Sequence, residues 1–411
     1  MTEPTVGDRP GWHRPALLGS VGTTAVILPA FLTGAVAVQL RDDLDLTESA
    51  IGLAIGAFFI GSSVGSAGLG RLAERLGPRS ALGLGLAVTT AADLGVAGLA
   101  RGAWSLAAIL VVAGLANAIG QPAINLLVVR TVPRGRLGLV MALKQSGMPA
   151  AALLGGLAVP TIALTVGWRA AYLVGAAIAA GSGLLAVRIP AVDHPDRPPT
   201  RPSGPGVGLP SGSRTGRPDQ GWPVLLVMAG VGVLGGGAAN IVVGYLVSGA
   251  VAAGIAPGPA GLVLTGGSAL GIASRLVHGW LADRGAIDAL TRVIGLLTTG
   301  LLGALILSTH RPVAYLVAAP IVFAGGWAWP GLFNLVVVEA NRSAPAAATG
   351  VTQTGVYVGS VLGPIVAGAL IEASGYRAAW ILTGACLGAA ALATVAVRHL
   401  VGGVEQRPVP G

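Results

Sequence analysis

Charge is scarce in this chain. Of its 411 residues only 10% are Asp, Glu, Lys or Arg, where soluble proteins carry about 25%. So little charge cannot cover the surface of a soluble fold of this length. There is one cysteine, Cys386, which excludes an internal disulfide and a thiolate metal site. The five histidines (His13, His194, His278, His310, His399) are scattered without ligand spacing, so no metal or other cofactor is expected. No G-x-x-x-x-G-K-[S/T] loop occurs, which excludes an ATP-driven pump. No cluster of His, Asp and Glu falls at membrane depth, which argues against a membrane-embedded enzyme. Aromatic residues make up 4%, few for the aromatic-lined, acidic cavity of a multidrug exporter.

Apolar residues make up 53% of the chain. They fall into twelve runs: roughly 16–39, 50–70, 80–100, 104–129, 138–165, 168–189, 222–250, 258–278, 288–308, 312–338, 346–372 and 377–401. Each is long enough to cross about 30 Å of hydrocarbon as a helix, and none alternates as a barrel strand would. Backbone in lipid must satisfy its own hydrogen bonds, so helices are expected throughout. The 66 glycines suit closely packed membrane helices. The first run is too long for the apolar core of a cleaved signal peptide, about 7–15 residues, and is expected to be retained.

Net charge is +9, yet no basic stripe suited to nucleic acid exists. The excess instead follows the positive-inside rule. With both termini cytoplasmic, 19 arginines, Arg275 and Arg292 among them, fall on inner segments and five on outer ones. The first outer loop is acidic, with Asp42, Asp43, Asp45 and Glu48. Residues 191–221, rich in Pro, Gly, Ser and Arg, read as a flexible linker. The expected organisation is a cytoplasmic N-terminus (1–15), six helices (16–190), the linker (191–221), six helices (222–401) and a cytoplasmic tail (402–411).

The second half repeats the first at an offset of 208–209. Gly167-Trp168-Arg169-Ala170-Ala171-Tyr172 matches Gly375-Tyr376-Arg377-Ala378-Ala379-Trp380. Asn125-Leu126-Leu127-Val128-Val129 matches Asn334-Leu335-Val336-Val337-Val338, and Gln145-Ser146-Gly147 matches Gln353-Thr354-Gly355. Six helices per half is an even number, so both halves keep one topology and form parallel repeats about the membrane normal.

The connector after the second run reads Gly70-Arg71-Leu72-Ala73-Glu74-Arg75-Leu76-Gly77-Pro78-Arg79. It resembles the signature loop of the major facilitator superfamily, G-x-x-x-[D/E]-R-x-G-[R/K]-[R/K], with Pro78 departing from it. The second copy keeps Gly279, Asp283 and Arg284. The resemblance implies an all-α membrane protein of twelve transmembrane helices in two six-helix pseudo-symmetric bundles. It also implies alternating access and a monomer in the inner (plasma) membrane. Gly70, Glu74, Arg75, Gly77, Arg79, Asp283 and Arg284 would form a cytoplasmic gate, Glu74 pairing with Arg130 in one rocking state and releasing it in the other. Arg130 aligns with Glu339 across the repeat.

By the same resemblance the first, fourth, seventh and tenth helices line a central cavity. Asn117 and Gln121, at i and i+4, share one face with Asn125; they suit either a cavity or interhelical glue. Asn240, Tyr245, Trp327 and Asn334 are the corresponding candidates on the seventh and tenth helices, and Gln145 joins them from the fifth. Lys144, the only lysine, either faces the cavity or snorkels to the headgroups. Asp93, deep in the third run, is a candidate for proton coupling, or bonds Thr89 or Thr90 one turn back, or meets a polar group on the second or fourth helix.

The fourth helix lacks the mid-helix Arg of many proton-coupled relatives, and the fifth lacks the Gly-Pro-Gly-Gly pattern of antiporters. A cavity of amides with a lone cation and no dedicated acid suits a small organic or inorganic anion. The expected partners are therefore a small-molecule solute and the lipid bilayer, with protons as a candidate coupling ion. A proton-coupled multidrug or metabolite exporter, or a transporter-like receptor without flux, are the rival readings.

Overall fold

A computed structural model describes residues 13–132, 137–188, 218–283 and 288–405. The bulk of the expected linker and Arg284 lie outside them. The first half of the sequence forms α1 (His13–Ala35), α2 (Ala37–Leu44), α3 (Glu48–Leu76), α4 (Pro78–Leu99), α5 (Ala103–Thr131), α6 (Leu137–Gln145), α7 (Gly147–Ala158) and α8 (Trp168–Arg188). The second forms α9 (Trp222–Ala252), α10 (Pro257–Asp283), α11 (Ala289–Leu307), α12 (Pro312–Ala324), α13 (Pro330–Glu339), α14 (Pro345–Ser374) and α15 (Tyr376–Glu405).

Among the described residues, eleven helical stretches are long and apolar enough to cross a membrane. The twelve-run expectation changes at 312–338, which divides into α12 and α13, neither long enough alone. Gly325 and Gly326 lie at this break, where residues 325–329 leave the helix, and Pro330, which has no N–H to donate, opens α13. The fifth run is also interrupted, first at Ser146 between α6 and α7 and then by a π-turn, Val159–Ala163, containing Pro160.

Lipid-facing surface is evident in Trp104 (80% exposed), Val64 (78%) and Leu392 (73%), which in water would be an aggregation liability. Hydroxyls inside the helices turn back on their own chain. Thr23, Thr33, Thr89, Thr383 and Thr394 each donate to the carbonyl four residues earlier at 2.7–2.9 Å.

Within each half, long helices meet backbone to backbone through glycine. Gly114 of α5 lies on Phe58 O of α3, and Gly359 of α14 lies on Val233 O of α9. Between halves, a Cβ on Gly34 would stand 2.8 Å from Gly244 Cα, and one on Gly156 would stand 2.6 Å from Gly261 O. Gly52 abuts Pro364 O and the Tyr245 hydroxyl. The pairs Gly52/Pro364 and Gly261/Gly156 are related by the sequence repeat offset, so the repeat has a geometric counterpart. Gly167 and Gly375, also matched, both take positive φ (103° and 79°), a conformation that favours glycine.

Overpacking a close-packed interior costs about 1–3 kcal/mol. Gly114→Val and Gly359→Val are therefore each expected to lower the unfolding temperature in detergent. Gly68→Ala, where a Cβ meets nothing within 4 Å, is expected to leave it unchanged or raise it, since alanine is the better helix former by about 1 kcal/mol.

Candidate functional site

The two halves are tied together at the end carrying residues 41–48 and 372–376, the acidic-loop end. Glu48 opens α3 and is 4% exposed. Its Oε1 accepts from Arg41 Nη1 of its own half and from the Tyr376 hydroxyl of the other. Ser49 donates to Glu372 across the same seam. The buried Tyr245 hydroxyl stands 3.1 Å from Glu48 O and 2.9 Å from Pro364 O. Arg41, Glu48, Glu372 and Tyr376 border a cavity of about 520 Å³ that Ser248 and Val251 also line.

Behind Tyr376, the His310 ring stacks on it at 5.8 Å, only 9° from parallel. Its Nδ1 lies 2.9 Å from the Tyr315 hydroxyl, which accepts from Trp380 Nε1 at 2.8 Å. An indole only donates, so the Tyr315 proton is available to a neutral His310, and burial holds that ring's pKa below its ordinary value. Nearby, Arg169 and Trp168 both donate to Asp43 Oδ2, at 2.6 and 3.1 Å. These bonds, with that from Arg169 the larger effect, hold the carboxyl below its usual range. Trp168 and Tyr376 are repeat-equivalent, and both reach the same acidic loop.

At the opposite end the signature residues serve mainly their own half. Gly77, at φ +80°, makes the corner between α3 and α4, where a side chain would be strained. Arg79 caps α8, donating to Val187 O at 2.5 Å and to Ala186 O at 3.5 Å. A Cβ on Gly70 would meet only Pro122, at 4.0 Å. Arg75 is exposed, and Glu74 and Arg130 are half-buried. Among the described residues the salt bridges are Arg41–Glu48 and Arg169–Asp43, so Glu74 and Arg130 do not form one here. In the second half, Ser343 donates to Asp219, holding its carboxyl below the usual value. Glu339 is exposed at the end of α13, and the side chain of Asp283 lies outside the description.

Between the two ends stands one of the arginines that the charge pattern assigns to an inner segment. Arg275 of α10 is half-buried. Its Nε and Nη2 donate to Trp327 O at 3.0 and 2.6 Å, and its Nη1 to Gln145 O of the first half at 3.1 Å. The guanidinium carbon lies 5.3 Å from the centroid of the Trp327 ring, cation–π range. Trp327 packs on Phe323 at 5.4 Å and on Phe31 of α1 at 5.7 Å. The break between α12 and α13 makes this possible, since it presents carbonyls sideways. Ala324 O takes the Ser274 hydroxyl at 2.6 Å, one residue before Arg275. The only signal in the sequence was an arginine three residues inside an apolar run.

The remaining candidates separate. Asn117 is buried and donates to Ser62 Oγ of α3 at 3.1 Å, while Gln121 Nε2 lies 3.3 Å from Asn117 Oδ1. Asn240 of α9 donates to Ser360 Oγ of α14 at 3.0 Å. Both asparagines thus join helices within one half. Lys144 is 6% exposed on α6, beside Gln145, with no hydrogen-bond partner among the described residues. Asn334 is half-buried.

Asp93 corrects one expectation. Thr89 and Thr90 donate to Gly85 O and Leu86 O instead, because a helical hydroxyl reaches its own preceding turn most easily. Both Asp93 oxygens are buried without a partner among the described residues. A Cβ on Gly175 of α8 would stand 3.0 Å from Oδ2.

Residues 18–354 match the family model described as Major Facilitator Superfamily. The chain belongs to that family. Members of the Major Facilitator Superfamily are secondary transporters that work by alternating access, so the chain is a multi-pass membrane transporter and not an enzyme.

Among solved structures it resembles a bacterial homologue of the human lysosomal transporter Spinster. The unoccupied inward-facing form matches with a TM-score of 0.74 and 14% identity, over 98% of this chain and 100% of the other. The occupied inward-facing form gives 0.72 and 16%, over the same shares of the two chains. A mutant of the nucleoside transporter NupG gives 0.68 and 12%, covering 93% of this chain and 99% of that one. At these identities the likeness is one of fold. An uncharacterised MFS-type transporter of Mycobacterium tuberculosis is 33% identical over 126 residues, 30% of this chain. The matched stretch spans only 22% of that relative's length.

Two outcomes are expected for this superfamily member at the acidic-loop end. Tyr376→Phe removes a bond between halves, so a cysteine introduced at Val251 in the cavity wall should react faster with a membrane-impermeant maleimide than in the Tyr376 background, with Cys386 replaced in both. The second concerns pH. His310 binds its proton more weakly folded than unfolded, so its full contribution to stability exists above the unfolded pKa of about 6.5 and declines as the pH falls through the lowered folded value. Melting temperatures at pH 7.5 and 5.5 should differ less in His310→Gln than in wild type.

Proposed function

We propose that the protein carries a small anion across the bacterial inner membrane, with both termini and the signature loop cytoplasmic and the acidic loop outside. In this reading α12 and α13 together make a twelfth crossing, and two six-helix bundles rock about a central site. The seam is closed at the outer end by Glu48, Tyr376, Tyr245 and the facing glycines. Glu74 and Arg130, unpaired here, would pair when the inner end closes in turn, with Arg75, Asp283, Arg284 and Glu339 beside them.

The observation that carries the anion reading is Arg275. It is a cation at the seam, bonded to backbone carbonyls of both halves, with no carboxylate paired to it among the described residues. Uncompensated charge at membrane depth is costly and marks a solute path. Lys144, buried one residue from the carbonyl that Arg275 holds, adds positive potential on the facing half. Asn117, Gln121 and Asn240 are assigned to holding each half rigid, and Trp327 and Gln145 to positioning Arg275. Asp93 is buried against Gly175 of α8 in its own half, so rocking as a rigid body leaves that contact unchanged. We assign it to the interior of that half rather than to coupling.

The test is a thermal-shift screen of small anions, sugars, amino acids and lipophilic cations on wild type, Lys144→Ala and Arg275→Gln. A ligand at a hundredfold excess over its Kd stabilises by about 2.7 kcal/mol. Anions are expected to stabilise wild type and to lose most of the effect in Arg275→Gln. Stabilisation of all three proteins by lipophilic cations would overturn the reading in favour of an exporter.

A further inference from the structure

An arginine has five N–H donors in a planar fork, and three of those of Arg275 are engaged. Nε–H and one Nη2–H converge on Trp327 O, and one Nη1–H reaches Gln145 O. Two donors remain, one on each terminal nitrogen. A carboxylate has two oxygens and can take one N–H on each of them. The three engaged donors fix the plane of the fork, and Trp327, held between Phe31 and Phe323, supports it from one side. The free pair is therefore oriented before any solute arrives, which lowers the entropy lost on binding.

The surroundings limit the rest of the solute. The rings beside the fork are apolar, and Trp327 and Phe31 are 5% and 2% exposed. Arg275 forms no ion pair among the described residues, so one negative charge neutralises it. No second guanidinium is described there, and the Lys144 ammonium belongs to the facing half beside Gln145, so a second charge at the far end of the solute, among the apolar rings, would be unpaired and costly. A spherical halide would use the charge of the fork but not its paired geometry.

We propose that the solute is a monocarboxylate with an apolar remainder, held end-on by the two free N–H groups of Arg275. This rests on the anion reading above and narrows it. The bond from Nη1 to Gln145 O also crosses the seam, so the fork is fully oriented only while Gln145 and Trp327 stand on either side of it. Monocarboxylate affinity should therefore depend on the α6–α7 break at Ser146 that presents Gln145 O.

The experiment is isothermal titration of the purified full-length protein with sodium butyrate, benzoate, succinate, phosphate and chloride at constant ionic strength. Wild type, Arg275→Lys and Arg275→Gln are compared. Wild type is expected to bind butyrate or benzoate about tenfold or more tighter than succinate, phosphate or chloride, a difference of about 1.4 kcal/mol. Arg275→Lys keeps the charge but not the fork, so it should lose that preference while still binding anions. Equal affinity for chloride, phosphate and butyrate in wild type, or a preference that survives in Arg275→Lys, would overturn the monocarboxylate inference and leave the anion reading intact. Absence of binding by every anion, with wild type folded by its melting curve, would overturn both.

Discussion

A polar group in hydrocarbon has no water to fall back on, and most of what is particular to this structure follows from that. Threonine hydroxyls close on the carbonyl one turn back. Asn117 finds Ser62, and Asn240 finds Ser360. Where a helix is interrupted at Gly325–Trp329, the carbonyls turned aside are met by Ser274 and Arg275 from α10. The interruption and the arginine answer each other. Carbonyls turned sideways in lipid need donors, and a guanidinium in lipid needs acceptors. Neither stands comfortably without its partner.

The same constraint shaped what was legible in the sequence. Run length and the near absence of charge reported the helices directly, because a span admits few alternatives. The repeat was legible because its matches recur at one offset, and the structure returns it in Gly167 and Gly375, in Trp168 and Tyr376, and in the seam pairs Gly52/Pro364 and Gly261/Gly156. The break of the tenth run was carried by Gly325, Gly326 and Pro330, but hydropathy is blind to it because both pieces are apolar. Tyr245 and Arg275 have partners that were not legible, for a different reason. Their roles depend on partners about 120 residues or more away in the chain, such as Glu48, Pro364 and Gln145, and no local pattern carries such a pairing.

Symmetry and its violation divide the labour. Two contacts that hold the halves against each other, Gly52 with Pro364 and Gly261 with Gly156, are matched across the repeat. The charged and aromatic residues of the candidate site are not. Arg275 stands opposite Ser66 in the alignment of the halves, Trp327 opposite Ala118, and Lys144 opposite Thr352. A duplicated scaffold offers two equivalent faces to the solute path, and an asymmetric solute with one charged end needs only one of them to carry the fork.

Part of the seam between the halves is glycine against backbone, at Gly34/Gly244, Gly156/Gly261 and Gly52/Pro364. Such a contact has no rotamers. When the halves separate, no side chain there must be sorted into a new well, and when they meet again none must be caught in the right one. Side-chain ordering elsewhere costs up to about 2 kcal/mol per long residue, and that term is missing from these contacts. The side chains that must part and rejoin are then those around Glu48, the Phe31–Trp327 pair and Arg275 with Gln145. A turnover cycle limited by these would show a rate set by a few local contacts, rather than by the slow repacking of a broad interface.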